Sequence, residues 1–257
     1  MTNVELMKFA LRLFMAGIFL TQVSACGTSQ KKRDEASLRL RIGTSLFAQG
    51  QYPGALRELL AAENLDPENE IIQNNLGLTY FMREKYDLAS EHLLKALDLK
   101  PSYSEARNNY GRVLIEVEKY DLAVVELKKV VADLTYDDPV KAWVNLGLAY
   151  FRKGDFKEAK EMFLTGIRVN RNHCLGQTMY GRSLFELADF KNAAQALDNA
   201  VLICRPLKFE EPYYYSGLSY YKLGRTSTAV ARMEEILSLY PKGQFAKKAR
   251  SALKSMK

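Results

Sequence analysis

The chain has 257 residues, of which 47% are hydrophobic and 26% are charged, so it is long enough and apolar enough to bury a core. This composition excludes a disordered chain, a collagen-like chain and a disulfide-dense scaffold. The net charge is +7, yet residues 242–257 carry six positive charges and no acid, so the excess is concentrated at one end. Because this distribution gives a basic end rather than a basic groove, we expect no nucleic-acid partner.

The first 26 residues have the pattern of an export signal. Lys8 and Arg12 precede an apolar run at 13–20. This run is too short to span a bilayer, which needs roughly 20 apolar residues, and it has the length of a signal-peptide core. It leads to Val23-Ser24-Ala25-Cys26, which resembles the bacterial lipobox. That resemblance implies that residues 1–25 are a signal peptide and that Cys26 is lipidated. An amphipathic helix with a buried cysteine is the alternative.

The residues after the cysteine bear on location. Gly27 stands where an Asp would favour retention in the inner membrane, so the resemblance implies an outer-membrane lipoprotein whose chain faces the periplasm. Several acyl chains would anchor it stably, whereas a single chain would not. Residues 26–35 are predominantly polar and are predicted to form a short tether.

A glycine recurs through the rest of the chain at steps of 34 or 36 residues. An alanine lies twelve residues after each glycine, and a large apolar residue lies sixteen residues after the same glycine. The glycines are Gly43, Gly77, Gly111, Gly147, Gly181 and Gly217; the alanines are Ala55, Ala89, Ala123, Ala159, Ala193 and Ala229; the large residues are Leu59, Leu93, Leu127, Phe163, Leu197 and Met233. The pattern resembles the tetratricopeptide repeat, which implies an all-α fold in which helical hairpins stack as a right-handed superhelical solenoid.

The spacing also predicts where each repeat begins and ends. The six predicted repeats span 36–69, 70–103, 104–139, 140–173, 174–209 and 210–241, and a basic capping helix is predicted at 242–257. A glycine inside a helix costs about 1 kcal/mol relative to alanine, so its recurrence needs a reason in packing. We infer that the two helices of each hairpin approach closely at the glycine and the alanine.

The first helix of each hairpin is expected to line a concave wall. In this repeat the residues one and four positions after the glycine point into the groove, and here most of them are apolar. The predicted partner-binding groove consists of Phe47, Leu78, Phe81, Arg112, Ile115, Leu148, Phe151, Arg182, Phe185, Tyr214, Leu218 and Tyr221. An exposed apolar strip usually marks an interaction site, here one suited to an extended or helical protein segment. The alternative is that an aromatic residue at this position simply belongs to the repeat pattern.

Cys174 and Cys204 fall at the start and the end of the fifth predicted hairpin. Because its helices run antiparallel, these ends lie near each other, and a disulfide is possible in the periplasm. Two separate buried thiols are the alternative. The two histidines, His92 and His173, belong to no cluster with metal-ligand spacing, and the sequence contains no phosphate loop or nucleophile motif. We therefore expect no metal, no cofactor and no catalytic activity.

Two stretches resemble one particular family more specifically than the general repeat pattern does. Asn108-Asn109-Tyr110-Gly111 opens the third repeat, and an extended linker of Leu-Thr-Tyr type at 133–139 precedes the fourth. A lipoprotein with six such repeats and this linker is similar to the type IV pilus pilotins (the PilF/PilW/Tgl group), most specifically over residues 105–172. The resemblance implies an outer-membrane lipoprotein that binds the pilus secretin in its groove and promotes its targeting and multimerisation. We expect the chain to be a monomer.

The alternative function is a general periplasmic scaffold or adaptor lipoprotein that serves outer-membrane assembly or cell-wall enzymes. Both functions are forms of protein binding through the groove, with the membrane reached through the lipid on Cys26. They differ in the client, which the sequence does not specify.

Overall fold

The computed structural model describes residues 30–256, and every regular element within that range is a helix. Residues 1–29, which include Cys26 and the predicted signal peptide, lie outside the described residues, as does Lys257. The helices are α1 (30–48), α2 (Tyr52–Leu65), α3 (Glu70–Met82), α4 (Tyr86–Leu99), α5 (Ser104–Glu116), α6 (Tyr120–Val131), α7 (Pro139–Lys153), α8 (Phe156–Val169), α9 (Cys174–Glu186), α10 (Phe190–Cys204), α11 (Glu211–Lys222), α12 (Thr226–Leu239) and α13 (Ala246–Met256). The described part of the chain has no helix long and apolar enough to cross a membrane.

The helices pair in chain order into six hairpins, α1–α2 through α11–α12, followed by the single terminal helix α13. The predicted all-α repeat fold is thereby confirmed. Close packing at the recurrent glycine holds each hairpin together. A methyl group added to Gly77 would lie 2.5 Å from Cγ of Leu93, and one added to Gly147 would lie 2.6 Å from Cε1 of Phe163. Because no Cβ fits at such a distance, the glycines are required by the approach of the two helices.

Each hairpin turn contains one residue in the left-handed conformation, seven positions after the glycine of the repeat. These residues are Gly50, Glu84, Glu118, Gly154, Ala188 and Gly224, with φ between 58° and 94°. An L side chain in this conformation costs roughly 1–2 kcal/mol. Three of the six turns therefore carry a backbone cost that glycine avoids in the other three.

Residues 30–35 are helical, so the predicted tether of 26–35 is wrong over this part. The polar residues here support a helix because they pair one turn apart. Nε2 of Gln30 donates to Asp34 at 2.9 Å, and Arg39 forms an ion pair with Glu35 at 3.0 Å. Such pairs stabilise helices, and Ala36 is buried in the core beneath them.

Contacts divide the described chain into two compact units, residues 30–106 and residues 107–256. The core of the first unit is formed by residues of α1, α2 and α3, namely Ala36, Leu59, Ala62, Ile72 and Leu76. In the second unit the terminal helix α13 belongs to the core as well. Phe245 and Ala249 pack in one cluster with Met233 and Ile236, while the lysines of α13 are exposed.

Cys174 and Cys204 are joined by a disulfide, with their Cα atoms 5.1 Å apart. Cys174 is the first residue of α9 and Cys204 is the last residue of α10, so the bond closes the fifth hairpin at the end opposite its turn. Both cysteines are buried. The hydroxyl of Thr178 lies 3.5 Å from Sγ of Cys204 and fills the space beside the bond.

The two 36-residue steps have distinct structural causes. Between α6 and α7 the chain makes an irregular segment in which the side chain of Asp133 accepts hydrogen bonds from the backbone and hydroxyl of Thr135. Asp138 then caps α7 by accepting from the backbone of Lys141 at 3.0 Å. After α10 the extra residues form a 3-10 turn, Arg205–Leu207.

Candidate partner-binding surface

The twelve predicted groove residues, called here the first-helix ladder, lie on the first helices of the hairpins. In the unit of residues 30–106 they are Phe47 on α1 and Leu78 and Phe81 on α3, and all three are half-buried. The ring of Phe47 packs against Tyr52 at a centroid distance of 5.5 Å, and that of Phe81 packs against Tyr86 at 5.9 Å. Each ring is therefore held on one side by its own hairpin and remains partly exposed.

In the unit of residues 107–256 the ladder is covered unevenly. Ile115 and Phe151 are buried, with 6% and 9% of their surface exposed. Tyr221 is exposed at 39%. The half-buried members are Arg112, Leu148, Arg182, Phe185, Tyr214 and Leu218. Little surface of Ile115 or Phe151 is therefore left for a partner. Ile115 belongs to a core cluster, and Phe151 packs against Phe156 at 5.1 Å within its own hairpin.

Arg182 connects three consecutive first helices of this unit. Its guanidinium carbon lies 4.7 Å from the ring centroid of Phe151 on α7 and 4.4 Å from that of Tyr215 on α11. Its Nη1 also forms an ion pair with Glu211 at 2.6 Å. The charge of Arg182 is thus already committed to Glu211, so this residue organises the surface rather than offering a free cation to a partner.

The aromatic contacts continue from Tyr215 towards the terminal helix. Its ring packs edge-on against Phe185 at 5.5 Å and against Tyr214 at 5.4 Å, and Tyr214 packs on Phe245 at 5.3 Å. Burial raises the pKa of Tyr214 and of Tyr215. Both phenols therefore stay neutral at physiological pH, and this part of the ladder is an apolar wall with protonated hydroxyls.

The aromatic residues that support the ladder were not predicted from the sequence. They occupy the first position of the second helix, nine residues after the repeat glycine. These residues are Tyr52, Tyr86, Tyr120, Phe156 and Phe190. The period of the glycines would have revealed them. Glu211 was also missed, since its role depends on a contact between neighbouring hairpins.

The Asn-Asn-Tyr-Gly motif is largely buried. Asn108 is fully buried, and its Oδ1 accepts a hydrogen bond from Nδ2 of Asn145 at 2.9 Å. Asn109 is buried beside it. Because the bond joins α5 to α7, the motif contributes to packing between the third and fourth hairpins, and its amides are not an open part of the surface.

A polar cluster in the unit of residues 30–106 joins the first hairpin to the second. His92 bonds Gln73 at 2.8 Å and stacks on Tyr80, while Gln73 donates to Glu63 at 2.9 Å. Burial lowers the pKa of His92, and Glu63 acts against this shift. Within residues 30–256 no group of His, Cys, Asp and Glu is arranged to hold a metal ion.

Tetratricopeptide-repeat family models match residues 43–83, 72–100, 140–173 and 213–243. With six hairpins built on one repeated close contact, the chain is a tetratricopeptide-repeat protein. Its fold is like that of the solved proteins PilF and PilW. Pseudomonas aeruginosa PilF is 21% identical with a TM-score of 0.74, over 86% of this chain and 99% of PilF. PilW, described as a type IV pilus biogenesis factor, is 18% identical with a TM-score of 0.77, over 83% of this chain and 97% of PilW.

A third solved structure widens the comparison. YrrB, described as a tetratricopeptide-repeat protein with an unusual peptide-binding site, is 17% identical with a TM-score of 0.57, over 75% of this chain and 97% of YrrB. At these identities the likeness establishes the fold, and the fold expected from the resemblance to the pilotins is confirmed. No curated protein matches the chain by sequence.

Proposed function

We propose that the chain is a pilotin, an outer-membrane lipoprotein that binds the secretin of a type IV pilus and promotes its targeting and multimerisation. The observation that carries the proposal is the extent of the structural match. The chain aligns with 99% of PilF and 97% of PilW, so it has the repeat array of a whole pilus protein rather than a few repeats of a larger one. PilW is a type IV pilus biogenesis factor, and a chain of matching length and fold suits the same process.

The first-helix ladder supplies the binding in this proposal. The rings of Phe47 and Phe81 are held by Tyr52 and Tyr86 before any partner arrives. Preorganised side chains lose little conformational freedom on binding, which favours affinity. Covering their open apolar surface contributes about 25 cal/mol per Å². A secretin segment that presents apolar side chains at intervals matches this surface.

The lipid on Cys26 supplies the transport. Lipoprotein trafficking carries the acylated chain to the outer membrane, and a bound secretin monomer travels with it. The step needs no energy source on the chain itself. A Cys26→Ala variant should lose membrane association in cell fractionation, and retention in the membrane fraction at the wild-type level would refute the anchor.

The second candidate function is a general periplasmic scaffold or adaptor for outer-membrane assembly or cell-wall enzymes. It is favoured by the similarity to YrrB, whose description names a peptide-binding site and no pilus. The repeat fold alone does not determine which protein is bound. The two functions are therefore distinguished by which assembly, the secretin or the cell-wall enzymes, fails when the chain is missing.

The test is deletion of the gene in the bacterium that encodes the chain, followed by immunoblotting of the secretin in membrane fractions. Loss of the heat-resistant multimer, with monomer still present, is the expected result. Normal multimers together with altered cell-wall enzymes would favour the scaffold.

Complementation then tests the surface. Leu78→Glu places a charge on the ladder and should fail to restore the multimer. Leu202→Glu makes the same change at a residue on α10 that is 71% exposed and should restore it. Circular dichroism of both variants separates lost binding from lost folding. If Leu78→Glu folds and restores the multimer fully, the ladder is not the secretin site.

A further inference from the structure

A cavity of about 560 Å³ lies between α8, α9 and α10, and none of its lining residues belongs to the ladder. Its walls are the two neighbouring second helices, with Leu164 and Arg168 on α8 and Asn192 and Asn199 on α10. Tyr180 and Leu184 of α9 form its floor. All of these elements belong to the unit of residues 107–256, so one compact unit builds the whole pocket.

The charge of this pocket is unbalanced. Arg168 and Arg171 line it, and both side chains are exposed. No lining residue is acidic, and neither guanidinium forms an ion pair with a carboxylate of the described residues. Two other arginines of the same unit, Arg182 and Arg232, are paired with Glu211 and Asp198. Two unpaired guanidinium groups in one pocket favour a ligand with carboxylates, which arginine binds in a bidentate fashion.

The second feature is a row of side-chain amides. Asn192, Gln195 and Asn199 lie on one face of α10 at intervals of three and four residues. Nδ2 of Asn192 already donates to Asp189 at 2.7 Å, which leaves its carbonyl oxygen for a ligand. The amides of Gln195 and Asn199 can both donate and accept hydrogen bonds, which matches the alternating groups of a peptide backbone. Seven residues of helix extend about 10 Å, the length of about three residues of extended chain.

The arrangement also holds Arg171 in place. Nε2 of the buried Gln177 donates to the backbone carbonyl of Arg171 at 2.8 Å, which fixes the loop between α8 and α9. Leu164 and Tyr180, both half-buried, offer apolar surface beside the polar groups. Cations at one edge, amides along one wall and an apolar floor form a site that differs in chemistry from the ladder.

We propose that this pocket is a second binding site, which takes a short acidic peptide segment of a protein partner. Its carboxylates pair with Arg168 and Arg171, its backbone bonds the amides of α10, and an apolar side chain rests on Leu164 and Tyr180. Because the pocket and the ladder share no residue, we expect that both can be occupied at once. The site does not depend on the pilotin assignment.

The experiment is selection of a random displayed heptapeptide library on the full-length chain in detergent. The Arg168→Glu/Arg171→Glu variant serves for counter-selection. Selected peptides are expected to contain Asp or Glu next to an apolar residue. Their affinity, measured by fluorescence polarisation, is expected to fall about tenfold or more in this variant and to weaken with added salt.

Lys247→Glu/Lys248→Glu is the matched control, since it removes the same charge from exposed positions of α13. It should leave peptide affinity unchanged. An Asn192→Ala/Asn199→Ala variant should weaken binding while leaving the arginines intact. Peptides that lack acids, or that bind the wild type and the Arg168/Arg171 variant equally, would overturn the proposal.

Inorganic phosphate tests whether the pocket binds small anions instead of a peptide. If phosphate alone shifts the NMR amide signals of Asn192 and Asn199 while no selected peptide competes for them, the pocket binds small anions and the peptide assignment is wrong. Failure of the peptide selection leaves the secretin assay untouched, so the two proposals are tested separately.

Discussion

The guanidinium of Arg182 lies between the rings of Phe151 and Tyr215, at 4.7 and 4.4 Å from their centroids. The three residues come from the fourth, fifth and sixth hairpins. Neighbouring repeats must be aligned for this stack to form, and the ion pair to Glu211 fixes the orientation of the guanidinium plane. Stability in a repeat array comes from such interfaces between neighbours, so the stack sets the geometry of the surface that it lines.

Replacing Arg182 by lysine should lower the free energy of unfolding by about 1–2 kcal/mol, since an ammonium group keeps the charge but cannot stack on two rings or present a planar fork. The measurement is urea unfolding followed by circular dichroism. Arg168→Lys is the control, because Arg168 is exposed and has no ring or carboxylate partner among the described residues. Equal midpoints for the two variants would mean that the stack contributes nothing.

The hairpins were predictable because each is set by a contact of fixed sequence spacing. Gly77 meets Leu93 and Gly147 meets Phe163, both sixteen residues apart, so one period in the sequence reveals every pair of helices. The start of α1 was not predictable in this way. Residues 30–35 contain no apolar period, and their helix depends on local pairs such as Glu35 with Arg39.

Contacts between hairpins were beyond the reach of the sequence. Asp198 accepts hydrogen bonds from Ser216 at 2.6 Å and Arg232 at 2.8 Å, which lie 18 and 34 residues away on two other helices. No period marks these residues, because each contact depends on how one hairpin sits against the next. The same reason explains why the ladder could be placed on the first helices while the burial of Phe151 and the pairing of Arg182 could not.

Reduction of the Cys174–Cys204 bond should destabilise the unit of residues 107–256. The bond closes a loop with a sequence separation of 30. Chain entropy for such a loop corresponds to about 3–4 kcal/mol. We expect the urea midpoint to fall in dithiothreitol, and to fall equally in a Cys174→Ser/Cys204→Ser variant. Adding dithiothreitol to that variant should change nothing further. A wild-type midpoint that is insensitive to reductant would contradict the expected contribution.

Two substitutions in the hairpin turns should change stability in opposite directions. Ala188 and Gly154 occupy equivalent positions with φ of 59° and 94°. Ala188→Gly should raise the free energy of unfolding by about 1 kcal/mol, because it removes the cost of a side chain in the left-handed region. Gly154→Ala should lower it by a similar amount. A Cβ at residue 154 would meet no atom within 4 Å, so the loss would report backbone strain alone. Thermal melting of both variants checks the two signs.

Acid should weaken the start of α9 through His173. Its Nδ1 accepts a hydrogen bond from the backbone N–H of Gly176 at 3.1 Å, and this cap requires a neutral ring. Burial lowers the pKa of His173 below its ordinary 6.5, against an opposing effect of Asp138. The unfolded chain then binds the proton more readily, so the stabilisation is complete above the unfolded pKa and is lost as pH falls towards the folded pKa.

The matched variant for this effect is His173→Asn, which keeps a capping oxygen without a titrating ring. Between about pH 7.5 and about pH 5.5, its melting temperature should fall less than that of the wild type. The pKa of His92 is also lowered by burial, so the flattest profile is expected when His92→Gln is added. A His173→Asn profile parallel to the wild type would show that the cap does not titrate in this range.

The ladder residues differ in how much they contribute to the stability of the fold, and alanine substitution should reveal the difference. Phe151 is 9% exposed and lies beneath Arg182, so Phe151→Ala should cost about 3–5 kcal/mol of stability, as for a buried phenylalanine. Phe81 occupies the equivalent position in its repeat but is only half-buried, and Phe81→Ala should cost about half as much. The free energies of unfolding in urea give the comparison. Equal losses would mean that Phe81 is as fully engaged in the hairpin as Phe151. In that case the open surface attributed to the ring of Phe81 would not be available to a partner.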